Sequence, residues 1–140
     1  MLSYEAALRG NRLFVYGEGR SYILAVYMAQ RLREQFPDLA ISAMRDLEKD
    51  LSLFAEHRGA QDLLIAMTTA TESRRLPGLI EEARDAELKS VGLCASYNSD
   101  LLKRCDITLK VDVTNPYRVD EMHMVLLGII ADAIEEVLKS

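Results

Sequence analysis

Apolar positions along this chain fall into short solid runs separated by longer stretches with helical spacing. Leu13-Phe14-Val15-Tyr16 is the first run, closed by Gly17, and predicts a strand buried on both faces. From Ser21 to Gln35, Ile23, Leu24, Tyr27, Met28 and Leu32 recur at helical spacing. Pro37 marks the end of that helix, because the residue before a proline resists the helical region. Leu39 to Met44 predicts a second, weaker strand. Asp46 to His57 predicts a helix that Asp46 can cap, with Leu47, Leu51 and Phe54 on one face. Asp62 to Met67 is the strongest strand signal. A helix is expected from Glu72 to Glu87, with Leu76, Leu79, Ile80 and Ala83 inward and Pro77 in its first turn. Leu88 to Cys94 reads as strand four. A short helix near Ser99–Arg104, a strand over Ile107–Val111 and a long helix from Val119 to Leu138 complete the pattern.

Strands that are apolar along their length need cover on both faces, and the intervening helices supply it. The predicted fold class is therefore α/β: a single αβα sandwich with a five-stranded parallel sheet. In such sheets ligands bind beyond the carboxyl ends of the strands, where the strand order reverses.

Composition narrows the partners. At 140 residues, with 49% hydrophobic and 28% charged positions, one soluble domain spanning 1–140 is expected. The net charge of −5 argues against a nucleic-acid clamp, which needs surplus Lys and Arg. The longest apolar run, Met124 to Ala131, is eight residues, well short of the ~20 that span a bilayer. No basic region followed by an apolar stretch opens the chain, so no secretion signal is expected. Cys94 and Cys105 form neither a zinc pattern nor a disulfide framework, which points to the cytoplasm.

Two of the predicted strand ends carry candidate chemistry. Gly17-Glu18-Gly19-Arg20-Ser21 follows the first strand: glycines allow a tight turn and close approach, and the next helix aims free N–H groups at the same spot. Such a turn suits an anion, most simply a phosphate, although glycine needed only for packing would give the same pattern. The segment fails as a dinucleotide fingerprint, because Tyr22 stands at the third glycine position. After the third strand come Thr68, Thr69, Thr71 and Ser73, hydroxyls that can bind phosphate oxygens, while one of them could instead cap a helix. Arg74 and Arg75 are expected in that helix's first turn, where a cation is unfavourable unless an anion is bound.

In this order and spacing the motifs resemble SIS (sugar isomerase) domains. The match runs from about Asn11 to Leu138. Leu13 to Ser21, with Ala25, Ala29, Arg31 and Leu32, is similar to the family's first strand–loop–helix, and the Gly-x-Gly-Arg-Ser form to that of hexulose-6-phosphate isomerases. Asp62 to Ser73 is similar to its second signature, a strand entering a Ser/Thr-rich loop, and Leu88 to Leu93 to its next strand. The last helix, through Glu121, His123, Asp132 and Glu135, looks more like that of phosphoheptose isomerases and their noncatalytic relatives.

The resemblance implies a flavodoxin-like SIS architecture binding a small-molecule sugar phosphate, usually as a homodimer or homotetramer. Gly19, Arg20, Ser21, Thr68, Thr69 and Ser73 would hold the phosphate. The chain departs from the family at Thr71, which replaces the loop glycine, and at Ala70, which replaces a serine. Where zinc-dependent phosphoheptose isomerases carry their metal ligands, this chain has Tyr27, Arg31, Asp120 and Gly128, so no metal and no other cofactor is expected. Residues 1–10 would be the remnant of a helical N-terminal extension used in assembly.

Aldose–ketose isomerisation requires a group that moves a proton between neighbouring carbons. Glu121 and His123, expected to open the last helix, are the leading candidates, with Glu18 and Glu72 behind them. Set against a metal-independent isomerase is a noncatalytic phosphosugar-binding regulatory or assembly module, and more distantly a nucleotide-binding domain.

Overall fold

A computed structural model describes residues 12–45 and 62–139. The helix expected over Asp46 to His57 lies outside the described residues, as do residues 1–10. Strands β1 (Leu13–Gly17), β2 (Ile41–Met44), β3 (Leu63–Met67), β4 (Lys89–Ala95) and β5 (Ile107–Val111) form one parallel sheet in the order β2-β1-β3-β4-β5. Helices α1 (Ser21–Gln35), α2 (Leu76–Asp85) and α3 (Pro116–Lys139) cover it, with a 3-10 segment over Ser96–Leu102.

Side chains alternate across the pleat and feed two cores. Leu13, Val15, Leu63, Ile65 and Met67 face one layer, where Leu24, Ala25, Met28 and Leu32 of α1 meet Leu127, Ala131 and Ile134 of α3. Phe14, Tyr16, Leu64 and Ala66 face the other, packed on Leu76, Leu79, Ile80 and Ala83 of α2. Both cores press on β1 and β3, which explains why those strands are solid apolar runs. β5 differs from the expectation of cover on both faces: as the edge strand it leaves Ile107, Thr108 and Lys110 exposed.

Several element starts differ from those expected: β3 and β4 begin one residue late, the 3-10 segment begins at Ser96 rather than Ser99, and three others move for identifiable reasons. β2 begins at Ile41 because Leu39 is held in a turn, its N–H donating to the Phe36 carbonyl at 3.0 Å. α2 begins at Leu76 rather than Glu72, so Arg74 and Arg75 precede the helix and oppose no first-turn N–H groups. Pro77 is the reason: in a helix begun at Glu72 its ring would clash with the Ser73 carbonyl, whereas near the start it costs nothing. α3 begins three residues early, at Pro116, with Asn115 Oδ1 accepting the Tyr117 N–H at 2.9 Å. Glu121 and His123 therefore sit in the second turn and do not open the helix.

Going outward from β1, β2 lies on one side and β3 on the other, so the chain reverses its direction of travel across the sheet between β1 and β3. The two candidate loops leave these adjacent strands.

Candidate functional site

The loop after β1 is shaped by backbone chemistry. Gly17 has no room for a side chain: a Cβ there would lie 2.3 Å from the Ser21 carbonyl oxygen and 2.6 Å from the Tyr22 nitrogen. Gly19 takes a left-handed φ of +55°, favoured by glycine. The turn closes as the Ser21, Tyr22 and Ile23 N–H groups donate to the carbonyls of Glu18, Gly19 and Arg20.

Across the strand gap, the β3 loop is held from below by residues the sequence reading did not single out. Asn98, buried in the 3-10 segment, donates from Nδ2 to the Ala70 carbonyl at 2.7 Å and the Thr68 carbonyl at 3.3 Å, while its Oδ1 accepts the Ala95 N–H. The Tyr97 hydroxyl donates to the Thr69 carbonyl at 2.6 Å. Thr68 is buried and its Oγ1 accepts the Ala70 N–H at 3.0 Å. The available signal was position: Ser96-Tyr97-Asn98 directly follows β4, at the same edge of the sheet.

Together the loops line one open cleft of about 390 Å³, walled by Glu18, Gly19 and Arg20 on one side, Thr69, Ala70 and Thr71 on the other, and Pro116. Of the six expected phosphate ligands, Gly19, Arg20 and Thr69 line the cleft directly. Ser21 lies buried at the start of α1, its hydroxyl without a hydrogen-bond partner among the described residues. Ser73 bridges the loops, donating to Glu18 Oε2 at 2.7 Å and accepting the Leu76 N–H at 3.1 Å.

Arg20 is committed within the fold. Its Nε donates to Asp120 Oδ2 at 2.6 Å and its guanidinium lies 4.6 Å from the centre of the Tyr117 ring, so α3 reaches over the cleft. The Asp120 bond and charge raise the Arg20 pKa above its ordinary value. Asp120 Oδ1 is buried with no partner among the described residues.

The two proton-transfer candidates have different surroundings. Glu121 is an exposed carboxylate, bound by Arg118, on a shallow groove shared with Leu24, Asp120 and Met124. His123 is fully buried, with Nε2 3.0 Å from the Cys94 carbonyl oxygen. Burial pushes its pKa down, against the opposing pull of that hydrogen bond and of Asp120. A carbonyl oxygen only accepts, so the neutral ring carries its proton on Nε2 and leaves Nδ1 bare, and Nδ1 has no partner among the described residues. Burial likewise raises the Cys94 thiol, making it a poor nucleophile.

The positions matched to zinc ligands do not suit a metal. Arg31 donates from Nε and Nη2 to Glu135 at 3.1 and 3.0 Å and from Nη2 to Asp132, while Gly128, 3.9 Å from Arg31 Nη1 when given a Cβ, has no side chain to offer. Tyr27 is exposed and Asp120 is taken by Arg20. Arg31 is thus held in an ion pair, and among the described residues no cluster of three or more His, Cys, Asp or Glu could hold an ion.

Comparison with known proteins agrees with this architecture. The chain is 24% identical to the phosphoheptose isomerase of Pelobacter propionicus, over 96% of this chain and 80% of that protein. The structure of a phosphoheptose isomerase from Francisella tularensis superposes with a TM-score of 0.74 at 21% identity, covering 96% of this chain and 83% of that one. The Vibrio vulnificus NanR protein, complexed with ManNAc-6P, gives a TM-score of 0.69 at 15% identity, covering 99% of this chain and 52% of that one. The SIS domain model matches residues 8–127. Strand order, paired loops and this match converge: the chain belongs to the SIS domain family.

Proposed function

We propose that this chain binds a sugar phosphate between its β1 and β3 loops and interconverts aldose and ketose forms without a metal at the family's zinc position. The observation that carries the reading is the single cleft made by the two loops where the strand order reverses. Gly19, Arg20, Ser21, Thr68, Thr69 and Ser73 form the proposed phosphate seat. Relatives named phosphoheptose isomerase and a neighbour solved with ManNAc-6P support the substrate class. In the reaction a base removes the carbon-bound proton beside the carbonyl, the resulting enediolate takes a proton at the neighbouring carbon, and hydroxyl and carbonyl exchange places. Glu121 and His123 are the proposed bases, although neither lines the cleft: Glu121 is an exposed carboxylate paired with Arg118 on a separate groove, and His123 is a buried ring with one bare nitrogen.

Incubation with ketose phosphates in deuterated buffer containing a chelator tests the proposal. Deuterium is expected at the carbon beside the carbonyl, undiminished by the chelator. Glu121→Gln or His123→Asn, whichever removes the base, lowers the exchange rate about 10²–10⁴-fold. Saturable binding by the wild-type chain with no exchange in either solvent condition overturns the isomerase.

We further propose one domain over 1–140, a cytoplasmic location and a homo-oligomer. Among the described residues no helix is long and apolar enough to cross a membrane. Ile23, Val26 and Tyr27 on α1 and Met122, Val125 and Ile129 on α3 are exposed in one helical layer, an apolar surface that a second copy would cover. Light scattering at micromolar concentration should give a dimer or tetramer, and Val125→Glu should shift it toward monomer; a wild-type monomer contradicts the assembly.

A further inference from the structure

The proposed seat contains a charge that opposes its ligand. Glu18 lines the cleft, yet among the described residues it has no ion pair. One carboxylate oxygen accepts the Ser73 hydroxyl at 2.7 Å; the other is buried and has no hydrogen-bond partner among the described residues. The Ser73 oxygen at the same time accepts the first N–H of α2, so the carboxylate sits on the hydroxyl that ties the loop to that helix terminus. The terminus favours an anion, and Glu18 approaches it through Ser73.

The other charges in the cleft do not cancel this one. Arg20 is the cation among the lining residues, and it is bound to Asp120 at 2.6 Å. Among the described residues, Glu18, Arg20 and Asp120 together carry one negative charge in excess. A phosphate entering here meets a carboxylate holding one of its intended donors, and like charges a few ångströms apart repel each other.

We propose that Glu18 tunes the affinity of the cleft for anions: its carboxylate competes with an anionic headgroup for the Ser73 hydroxyl, and so sets how strongly phosphate is held. This rests on the cleft being the phosphate seat. The site is then tuned for a ligand whose sugar portion contributes contacts of its own, because the headgroup alone must displace an internal rival. With Glu18 present, the free anion is disfavoured and the phosphosugar retains its advantage through its hydroxyls.

Glu18→Gln tests this, because the amide keeps the shape and an acceptor for Ser73 while removing the charge. Calorimetric titration of inorganic phosphate and of a ketose phosphate into wild type and variant gives the comparison, with thermal unfolding verifying that the variant is folded. Glu18→Ala is the second variant, used in the same way. Inorganic phosphate and the ketose phosphate are both expected to bind the variant at least tenfold more tightly than wild type, because the rival acts on the headgroup they share. Folded Glu18 variants that bind both ligands no more tightly than wild type overturn the competition while leaving the seat in place. If neither ligand binds wild type or variant, the seat itself is wrong and the competition falls with it.

Discussion

Gly17→Ala is expected to produce a larger loss than an added methyl group at any other described glycine. The added carbon would lie 2.3 Å from the Ser21 carbonyl oxygen and 2.4 Å from its carbon, against ordinary nonbonded separations of ~3.5–4 Å. These are backbone atoms of the first turn of α1, so no rotamer change relieves the contact. The helix start must move away from β1, and with it Ser21 and the closing hydrogen bonds of the loop. Overpacking commonly costs about 1–3 kcal/mol, and a backbone collision belongs at or above the upper end of that range. A fall in melting temperature of roughly 10 °C follows at this chain length. Sugar-phosphate binding should be lost as well, measured by thermal shift with and without ligand. Unchanged melting and unchanged ligand shift would mean that the loop geometry has been misread.

The second large effect lies at the opposite end of the same two strands. Asp62 is 1% exposed and accepts the Arg12 backbone N–H at 2.7 Å, Arg12 Nε at 3.2 Å and Arg12 Nη2 at 3.1 Å. It fastens the entry of β1 to the entry of β3 by charge and backbone together. Asp62→Ala removes the anion and leaves the Arg12 N–H without this acceptor. Removing one member of a buried pair costs about 3–5 kcal/mol; since Arg12 keeps some access to water, about 3 kcal/mol is expected. Urea unfolding followed by circular dichroism should show a lower midpoint with an unchanged slope. Ligand affinity in the surviving folded fraction should hold, because the cleft is at the far end of the strands. A wild-type midpoint would mean that the pair contributes nothing net.

The strands were legible because β1 and β3 are covered on both faces, which forces solid apolar runs, and α1 because Leu24, Met28 and Leu32 recur on its inner face, although Ile23 and Tyr27 of the same pattern lie exposed. Helix starts were harder. At α2 the run of hydroxyls looked like a cap, and the decisive residue was Pro77, whose ring excludes a helix already formed four residues earlier. At α3 the signal was present as Asn115-Pro116, a capping residue followed by a proline at the first helical position, and the apolar periodicity farther along obscured it. The site divides in the same way. Loop positions follow from the order of elements, so Gly19, Arg20 and Thr69 could be placed from sequence. The Asn98 and Tyr97 bonds to the β3 loop, the Arg20–Asp120 pair and the grip of Glu18 on Ser73 join residues 28, 100 and 55 positions apart, and no local pattern encodes them.

The central strand has a consequence for the birth of the protein. β1 pairs with β3 through residues such as Leu13 and Leu63, 50 positions apart, and both strands run in the same direction. Parallel pairing of this kind waits on a long stretch of chain and is intrinsically slow. During synthesis the first signature loop therefore leaves the ribosome well before its counterpart exists, and an apolar strand spends that interval with one hydrogen-bonding edge bare. Chaperone dependence and yield should accordingly be governed by the segment between the two strands, whose emergence sets how long that edge stays open.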